Sequence, residues 1–253
     1  MPLVTCLCGV RIEAAGVDAL IAAFRAHGDQ AHPQINVSDE RWREVASAIR
    51  RTGGWDGQRV ALRGDVEIRP LSPELRDDYL AYFDRDAFSD NPAWAACYCL
   101  AYCLAARPGE VFDNRPSALN RAERAGMIDR GDASGVLAYA DGRVVGWCHA
   151  APRMSLKLLD STPEFAAADP ERTGSIVCYV IAPQYRGQGL ARRLLDGACD
   201  MMRDRGIRWL EAYPPTNATT AASSYHGRLS MYLAAGFEHL RDAGRFAVVR
   251  KTL

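Results

Sequence analysis

Two hydrophobic rhythms divide the chain. In residues 14–27, AAGVDALIAAFRAH, Ala15, Ala19, Ala22, Ala23 and Ala26 recur among Leu20, Ile21 and Phe24 at the spacing of a helix. A second helix is predicted from Ser38, with Asp39 and Glu40 in its first turn and Trp42, Val45, Ala46 and Ile49 on one face. RTGGWDGQ (51–58) then breaks the pattern with three glycines, which places a boundary between residues 52 and 64.

From Val66 the period shortens. VEIRPLSPE reads as a strand that leaves through proline, with Ser72 placed to cap a helix over 74–83. An amphipathic helix is predicted between Pro116 and Arg130, ended by Gly131. GVLAYADGRVVGWCHAAPR gives two apolar strands joined by Asp141-Gly142, a pair suited to the positive φ angles of a tight hairpin. GSIVCYVIAP is a strand stopped by Pro183, Leu190 to Arg205 a helix ended by Gly206, and IRWLEAYP a strand with prolines at its exit. A helix near 224–235 and a last strand, RFAVVRKTL, complete the order. That order fits a mixed sheet with helices on both faces better than a fully parallel nucleotide-binding sheet. The predicted domains are residues 1–58 and 65–253, and no internal repeat or low-complexity tract appears.

Composition narrows the classes of function. With 48% hydrophobic and 25% charged residues, the chain is that of a soluble globular protein. Lys and Arg number 31 and Asp and Glu 31, so no global charge favours nucleic acid or a membrane surface. No apolar run has the length of a bilayer span, and MPLVTCLCGVRIEAAG lacks a basic start followed by a sustained apolar stretch. The expected location is cytoplasmic, and the eight cysteines are expected as reduced thiols.

The chemistry begins at APQYRGQGLARRLL (182–195), where a glycine-rich turn runs from a strand into a helix. Such a turn is a generic anion site, because the backbone can approach closely and the helix start supplies unpaired N–H groups. A dinucleotide fingerprint needs a third glycine where Arg192 stands, and no Walker string G-x-x-x-x-G-K-[ST] exists. Gln184-x-x-Gly187-x-Gly189 instead resembles the Q/R-x-x-G-x-G/A signature of the GNAT superfamily of acyl-CoA-dependent N-acyltransferases. VCYVIAPQYRGQGLARRLL fits that family's strand–loop–helix segment, YLAAGF (232–237) fits its Tyr-x-x-x-Gly-Phe segment, and the hairpin sits where the family has its second and third strands. The resemblance covers residues 66–253. It implies an α/β (mixed α+β) fold: a central mixed, largely antiparallel sheet flanked by helices, beside a small N-terminal domain containing two helices.

The same resemblance implies roles. The N–H groups of Arg186, Gly187, Gln188, Gly189, Leu190 and Ala191 would bind the pyrophosphate of the co-substrate acetyl-CoA. The edges of Tyr179, Val180 and Ile181 would pair with its pantetheine amides and polarise the thioester carbonyl. The side chains of Arg186 and Arg192 would add charge for the phosphates, or else be solvated surface arginines. Tyr232 occupies the family position of the proton donor to the leaving thiolate, its rival reading being a core-facing aromatic. Glu211, in LEAYP, and His149, in WCHAAP, are the candidates for general base. The first could instead pair with an arginine, and the second be a hydrogen-bonded, partly buried histidine. One departure is Tyr225, which stands where the family often has an asparagine seven residues before the tyrosine.

DNPAWAACYCLAYCLA (90–105) lies where GNAT domains vary and build their acceptor pocket. Trp94, Cys97, Tyr98 and Cys99 are the expected substrate-binding residues, with Tyr102 and Cys103 in the same stretch. The rival reading is a buried segment packed with soft side chains. The N-terminal CLCG…FRAHGDQAHP resembles a small bacterial domain of unknown function carrying paired cysteines and histidines. Cys6, Cys8, His27 and His32 could form a Cys₂His₂ zinc site. However, C-x-C is tighter than the usual spacing and both histidines can simply sit at a helix end, so no metal is expected. The expected function is an N-acetyltransferase acting directly from acetyl-CoA on a small-molecule amine. A protein or peptide amine is the alternative acceptor, and a non-catalytic acyl-CoA sensor the alternative to catalysis. Neither nucleic acid nor membrane is an expected partner, and a homodimer stays open.

Overall fold

The computed structural model describes residues 1–253 except 7, 36, 106–111, 113, 114, 219, 221 and 222. Among the described residues the strands form two sheets. The first is small: β1 (Leu3–Thr5) pairs antiparallel with β2 (Arg11–Glu13), and two helices follow, α1 (Val17–Ala31) and α2 (Asp39–Thr52). Ser38 accepts from Arg41 N at 3.1 Å, Asp39 and Glu40 fill the first turn, and Gly53 closes α2 in the left-handed region, so both predicted ends of that helix are present. The interior of this segment is slight: Leu3, Val4, Cys6, Leu20, Phe24, Val45, Ala48 and Ile49.

The second sheet has seven strands in the order β3-β4-β5-β6-β7-β9-β8. These are β3 (Glu67–Pro70), β4 (Val136–Ala140), β5 (Arg143–Pro152), β6 (Thr173–Ile181), β7 (Trp209–Ala212), β8 (Glu238–Ala243) and β9 (Phe246–Thr252). Every neighbouring pair is antiparallel except β6–β7. Asp141 (φ 49°) and Gly142 (φ 73°) form the turn between β4 and β5. On one face lies α5 (Leu190–Asp204), whose stripe of Leu190, Leu194, Leu195, Ala198, Cys199, Met201 and Met202 is buried against the sheet. Each of its leucines contributes roughly 1.5–3 kcal/mol by leaving water. The other face carries α3 (Arg76–Arg85) and α4 (Ser117–Asp129) over Leu137, Tyr139 and Trp147. The mixed sheet with helices on both faces expected from the element order, and the largely antiparallel pairing implied by the resemblance, are therefore present.

Four local differences have physical causes. The helix predicted over 74–83 begins as a 3₁₀ turn at Pro73–Leu75, without a capping bond from the Ser72 side chain to the backbone, and α3 starts at Arg76. The helix expected near 224–235 is cut to α6 (Leu229–Ala234), because Gly227 sits at φ +86°, where an added Cβ would meet the Tyr232 ring at 2.9 Å. The last strand pairs with an unpredicted edge strand: EHLRDA of β8 is mostly exposed and carries no alternating apolar signal. Strands β1 and β2 are three residues each, too short for a periodic pattern. Among the described residues, no helix is long and apolar enough to cross a membrane.

Candidate active site

The site begins where two parallel strands part. β6 and β7 are in register from Thr173↔Trp209 to Ile176↔Ala212, and beyond that point β6 continues with β5 alone. Part of the vacated edge is already used, because Tyr179 N–H donates to the Tyr225 carbonyl at 2.6 Å. The expectation of a fully open Tyr179–Ile181 edge is corrected to that extent. The unexpected partner arrives because Gly227 turns the chain back before α6 and lays residues 225–226 against β6.

At the end of β6 the glycine turn opens α5. Arg186 N–H folds back to the Pro183 carbonyl at 3.4 Å, so it is not among the free donors. Among the described residues, none accepts from the N–H groups of Gly187, Gln188, Gly189, Leu190 or Ala191. Gly189 lies at φ +82° with open space where a Cβ would stand, and this cradle fits a pyrophosphate. The Arg186 guanidinium is not offered to an anion. It forms a two-pronged pair with Asp90, with Nη2–Oδ1 at 3.0 Å, and donates from Nε to Ile181 O at 2.8 Å. Arg192 lies along α5, paired with Asp196 and bonded to Ala234 O. The cations left at the loop are ones the sequence did not single out. Arg59 donates to Arg186 O and has no carboxylate partner among the described residues, and the same holds for exposed Arg228. The connecting segment also grips the turn directly, through Val60 N–Gln184 O at 2.9 Å, Leu62 N–Gln188 Oε1 at 2.9 Å and Gln188 Nε2–Val60 O at 2.8 Å.

A cavity of about 690 Å³ extends from this loop. Gly187, Tyr179–Ile181, Trp94, Cys97, Cys99 and Tyr102 are among its lining residues. Tyr225 stands beside Trp94, ring centroids 5.5 Å apart. Thr5, Gly9, Arg11 and Trp55 of the N-terminal segment form a further wall, with Thr5 N bonded to Asp90 O at 2.6 Å. Three of the four expected acceptor residues thus face the cavity. Tyr98 does not: its hydroxyl donates to Asp84 Oδ1 at 2.7 Å and its carbonyl accepts from Tyr79 at 2.7 Å. Tyr98 (φ 44°) and Cys99 (φ 50°) both sit in the left-handed region, which costs about 1–2 kcal/mol per residue.

Behind Cys99 is a buried group of thiols and bases. His149 sits on β5 at a register shift, with Nδ1 3.4 Å from Cys99 Sγ and Nε2 3.8 Å from Cys103 Sγ. Buried Arg124 approaches Cys103 Sγ at 3.5 Å. Burial opposes ionisation of Cys99, but hydrogen bonding from Cys178 and the His149 and Arg124 charges outweigh it and hold the thiol well below its ordinary value. Burial likewise pushes His149 down, and the two thiolates outweigh it, raising the imidazole to about 9. The stability contributed by His149 is full below its ordinary 6.5 and is lost as pH rises through about 9. That of Cys99 is full above its ordinary 9.0 and is lost as pH falls through its depressed value. Between 6.5 and 9, where native His149 is protonated and native Cys99 is favoured as thiolate, the two slopes oppose each other. In a ¹H–¹⁵N titration, His149 should titrate near 9 and fall below neutrality in a Cys99→Ala/Cys103→Ala variant. A value still near 9 there would rule out the thiolates as the cause.

None of the three catalytic candidates lines this cavity: His149 lies behind Cys99, and the other two are buried elsewhere. Tyr232 is fully buried in the core under α5, and its hydroxyl donates to His226 O at 2.7 Å. Glu211 is fully buried and paired with Arg250, Nη2–Oε1 at 2.6 Å and Nε–Oε1 at 3.1 Å. His226, missed by the sequence reading, meets Tyr102 OH at 3.0 Å through Nε2, and burial together with the Arg245 charge lowers it to about 3.

The profile of the acetyltransferase (GNAT) family matches residues 102–229, just over half of the chain. The chain belongs to this family and is therefore an acyltransferase, with acetyl-CoA as co-substrate. Among solved structures it is similar to the PaiA N-acetyltransferase of Thermoplasma acidophilum in complex with coenzyme A, at 17% identity over 75% of this chain and 100% of that one, TM-score 0.45. It is similar to the GNAT domain of S. lividans PAT, at 18% identity over 77% and 95%, TM-score 0.48. A third is a ribosomal-protein-alanine N-acetyltransferase from Brucella melitensis, at 19% identity over 74% and 99%, TM-score 0.42. No curated protein matches the chain.

Proposed function

We propose that the enzyme transfers the acetyl group of acetyl-CoA directly to the amine of a small molecule. The observation that carries this reading is the shared cavity: the pyrophosphate cradle and the Trp94–Cys99–Tyr102 wall face one space. The N-terminal segment adds a wall to that space, whose volume is in the range of small-ligand sites. The free N–H groups of Gly187 to Ala191 take the pyrophosphate, and Arg59 and Arg228 add charge. On the same cavity wall, Trp94 and Tyr225 offer aromatic faces to the body of the acceptor and to its ammonium group.

Transfer requires the ammonium to lose a proton and the departing sulfur to gain one. Cys99 stands on the cavity wall with its thiol held toward the ionised form by the His149 and Arg124 charges, and His149 acts through it as a positioning residue. In this reading the Cys99 thiolate takes the proton from nitrogen, and the amine lone pair then attacks the thioester carbonyl. The C–N bond forms, the C–S bond to the coenzyme breaks, the proton held by Cys99 passes to the leaving sulfur, and the second proton lost by nitrogen as the amide forms is released to water. Steady-state turnover of acetyl-CoA across small amines and short peptides tests the acceptor class. Small amines should be acetylated and peptides not; turnover confined to peptide amines would overturn the reading. Cys99→Ser should lower kcat by about 10²-fold with little change in the KM for acetyl-CoA. An unchanged kcat would remove Cys99 from the proton path.

A further inference from the structure

We propose that Cys6, Cys8, His27 and His32 bind one structural zinc ion that closes the N-terminal segment. The β1–β2 connection is a tight turn in which Cys6 N donates to Val10 O and Gly9 N to Cys6 O, both at 2.8 Å. This brings the two cysteines of C-x-C to one side of the hairpin. Across from them, α1 ends between the two histidines. His27 lies in its last turn and His32 is its C-cap, with His32 N bonded to Gly28 O at 3.0 Å. Their rings meet edge to face, centroids 5.3 Å apart.

The four potential ligand atoms converge. Cys6 Sγ lies 3.3 Å from His32 Nε2 and Cys8 Sγ 3.3 Å from His27 Nε2, and all four atoms are within 4.8 Å of one another. A tetrahedral zinc with Zn–S of about 2.3 Å and Zn–N of about 2.0 Å has ligand–ligand edges of about 3.3–3.8 Å. The two thiol–imidazole distances already match that figure, and the widest separations need to close by about 1–1.5 Å. Two separate thiol–imidazole hydrogen bonds would explain each short distance, but not the meeting of both pairs at one point. C-x-C is tight for a zinc knuckle, yet the helix end supplies the other two ligands at whatever angle the turn requires.

The segment has a physical use for such a staple. Among the described residues its interior is eight buried apolar side chains, and one of those is Cys6 itself. A unit of that size is normally short of hydrophobic stabilisation without a cross-link, a metal or a partner surface. Four protein ligands leave no open coordination position, which makes the site structural rather than catalytic. Its position gives it a consequence for the enzyme: Thr5, Gly9 and Arg11, in and beside the same turn, line the active-site cavity. The ion would hold one wall of that chamber in place.

The test uses the full-length chain, purified without chelator and kept reduced. Elemental analysis should find about one zinc per chain. After removal of zinc, titration with Co²⁺ should give the intense visible bands of a tetrahedral site and a sulfur-to-cobalt charge-transfer band. The exposed pair offers the milder variant: Cys8→Ser/His27→Gln should weaken binding at least 100-fold and abolish the cobalt spectrum. Since the spectrum is read first on the unmodified chain, poor folding of a variant does not remove the test. A folded wild-type chain that takes up neither zinc nor Co²⁺ at micromolar concentration would overturn the proposal. So would stoichiometric binding that survives the double substitution, which would place the metal on other thiols.

Discussion

Gly189→Glu is expected to abolish coenzyme A binding, lowering affinity at least 100-fold by calorimetry, while the protein remains folded. The residue lies at φ +82° and opens α5 just where the N–H groups of Gly187 to Ala191 find no protein acceptor. A glutamate there brings a carboxylate into the cradle, where it competes with pyrophosphate for the same donors and repels it. The left-handed backbone adds a strain of about 1–2 kcal/mol, which a domain of this size tolerates. Gly189→Ala separates the two effects. No atom lies within 4 Å of the added Cβ, so alanine pays the strain but leaves the donors accessible, and affinity should stay within about tenfold of wild type. Arg59→Ala should weaken binding by a similar amount, with a smaller loss at high salt, because its contribution is an exposed charge. Normal affinity in Gly189→Glu would show that the phosphates bind elsewhere.

What could be read from the sequence was what the backbone alone determines. The hairpin at Asp141-Gly142, the buried stripe of α5, the capped α2 and the glycine turn all depend on local periodicity or on φ angles few residues adopt, and each is in place. Side-chain commitments were not legible in the same way. Arg186, Arg192 and Glu211 read equally well as binding groups or as ion-pair partners. Only the folded chain brings up Asp90 from 96 residues away and Arg250 from 39. The contribution of the N-terminal segment was hidden for a related reason. Thr5, Trp55 and Arg59 reach the cavity through tertiary docking, and no signal in TCLCG or GWDGQR announces it. Tyr225 could have been found. It was identified as a departure from the family pattern, and its carbonyl covers the Tyr179 N–H. The thiol–imidazole group had a weaker signal: Cys99 and His149 are 50 residues apart, and their contact follows from the shift in register at His149/Ala150.

Arg250→Leu is expected to be the most destabilising single exchange in the sheet, at about 3–5 kcal/mol. Glu211 has no solvent-exposed surface, and after the exchange its carboxylate would keep only Tyr213 OH, at 3.4 Å. An unpaired ion in that position costs far more than the pair contributes, because its desolvation is no longer offset. Arg250 also packs against the Trp209 ring, 5.3 Å from its centroid, and leucine recovers part of that contact. The expected fall in Tm is roughly 6–20 °C, with the urea midpoint reduced in proportion. Glu211→Gln should cost less, because the Arg250 side chain is 22% exposed and can turn its charge toward water. Arg250→Leu/Glu211→Leu should recover much of the loss, since an apolar pair carries no desolvation penalty. The same variants decide what Glu211 does in catalysis. If its work is to hold β7 to β9, Glu211→Gln retains kcat per folded molecule and the effects appear only in stability. A Glu211→Gln protein with wild-type Tm and a kcat reduced by about 10² or more would instead make the carboxylate the general base, and the proton path through Cys99 would have to be abandoned.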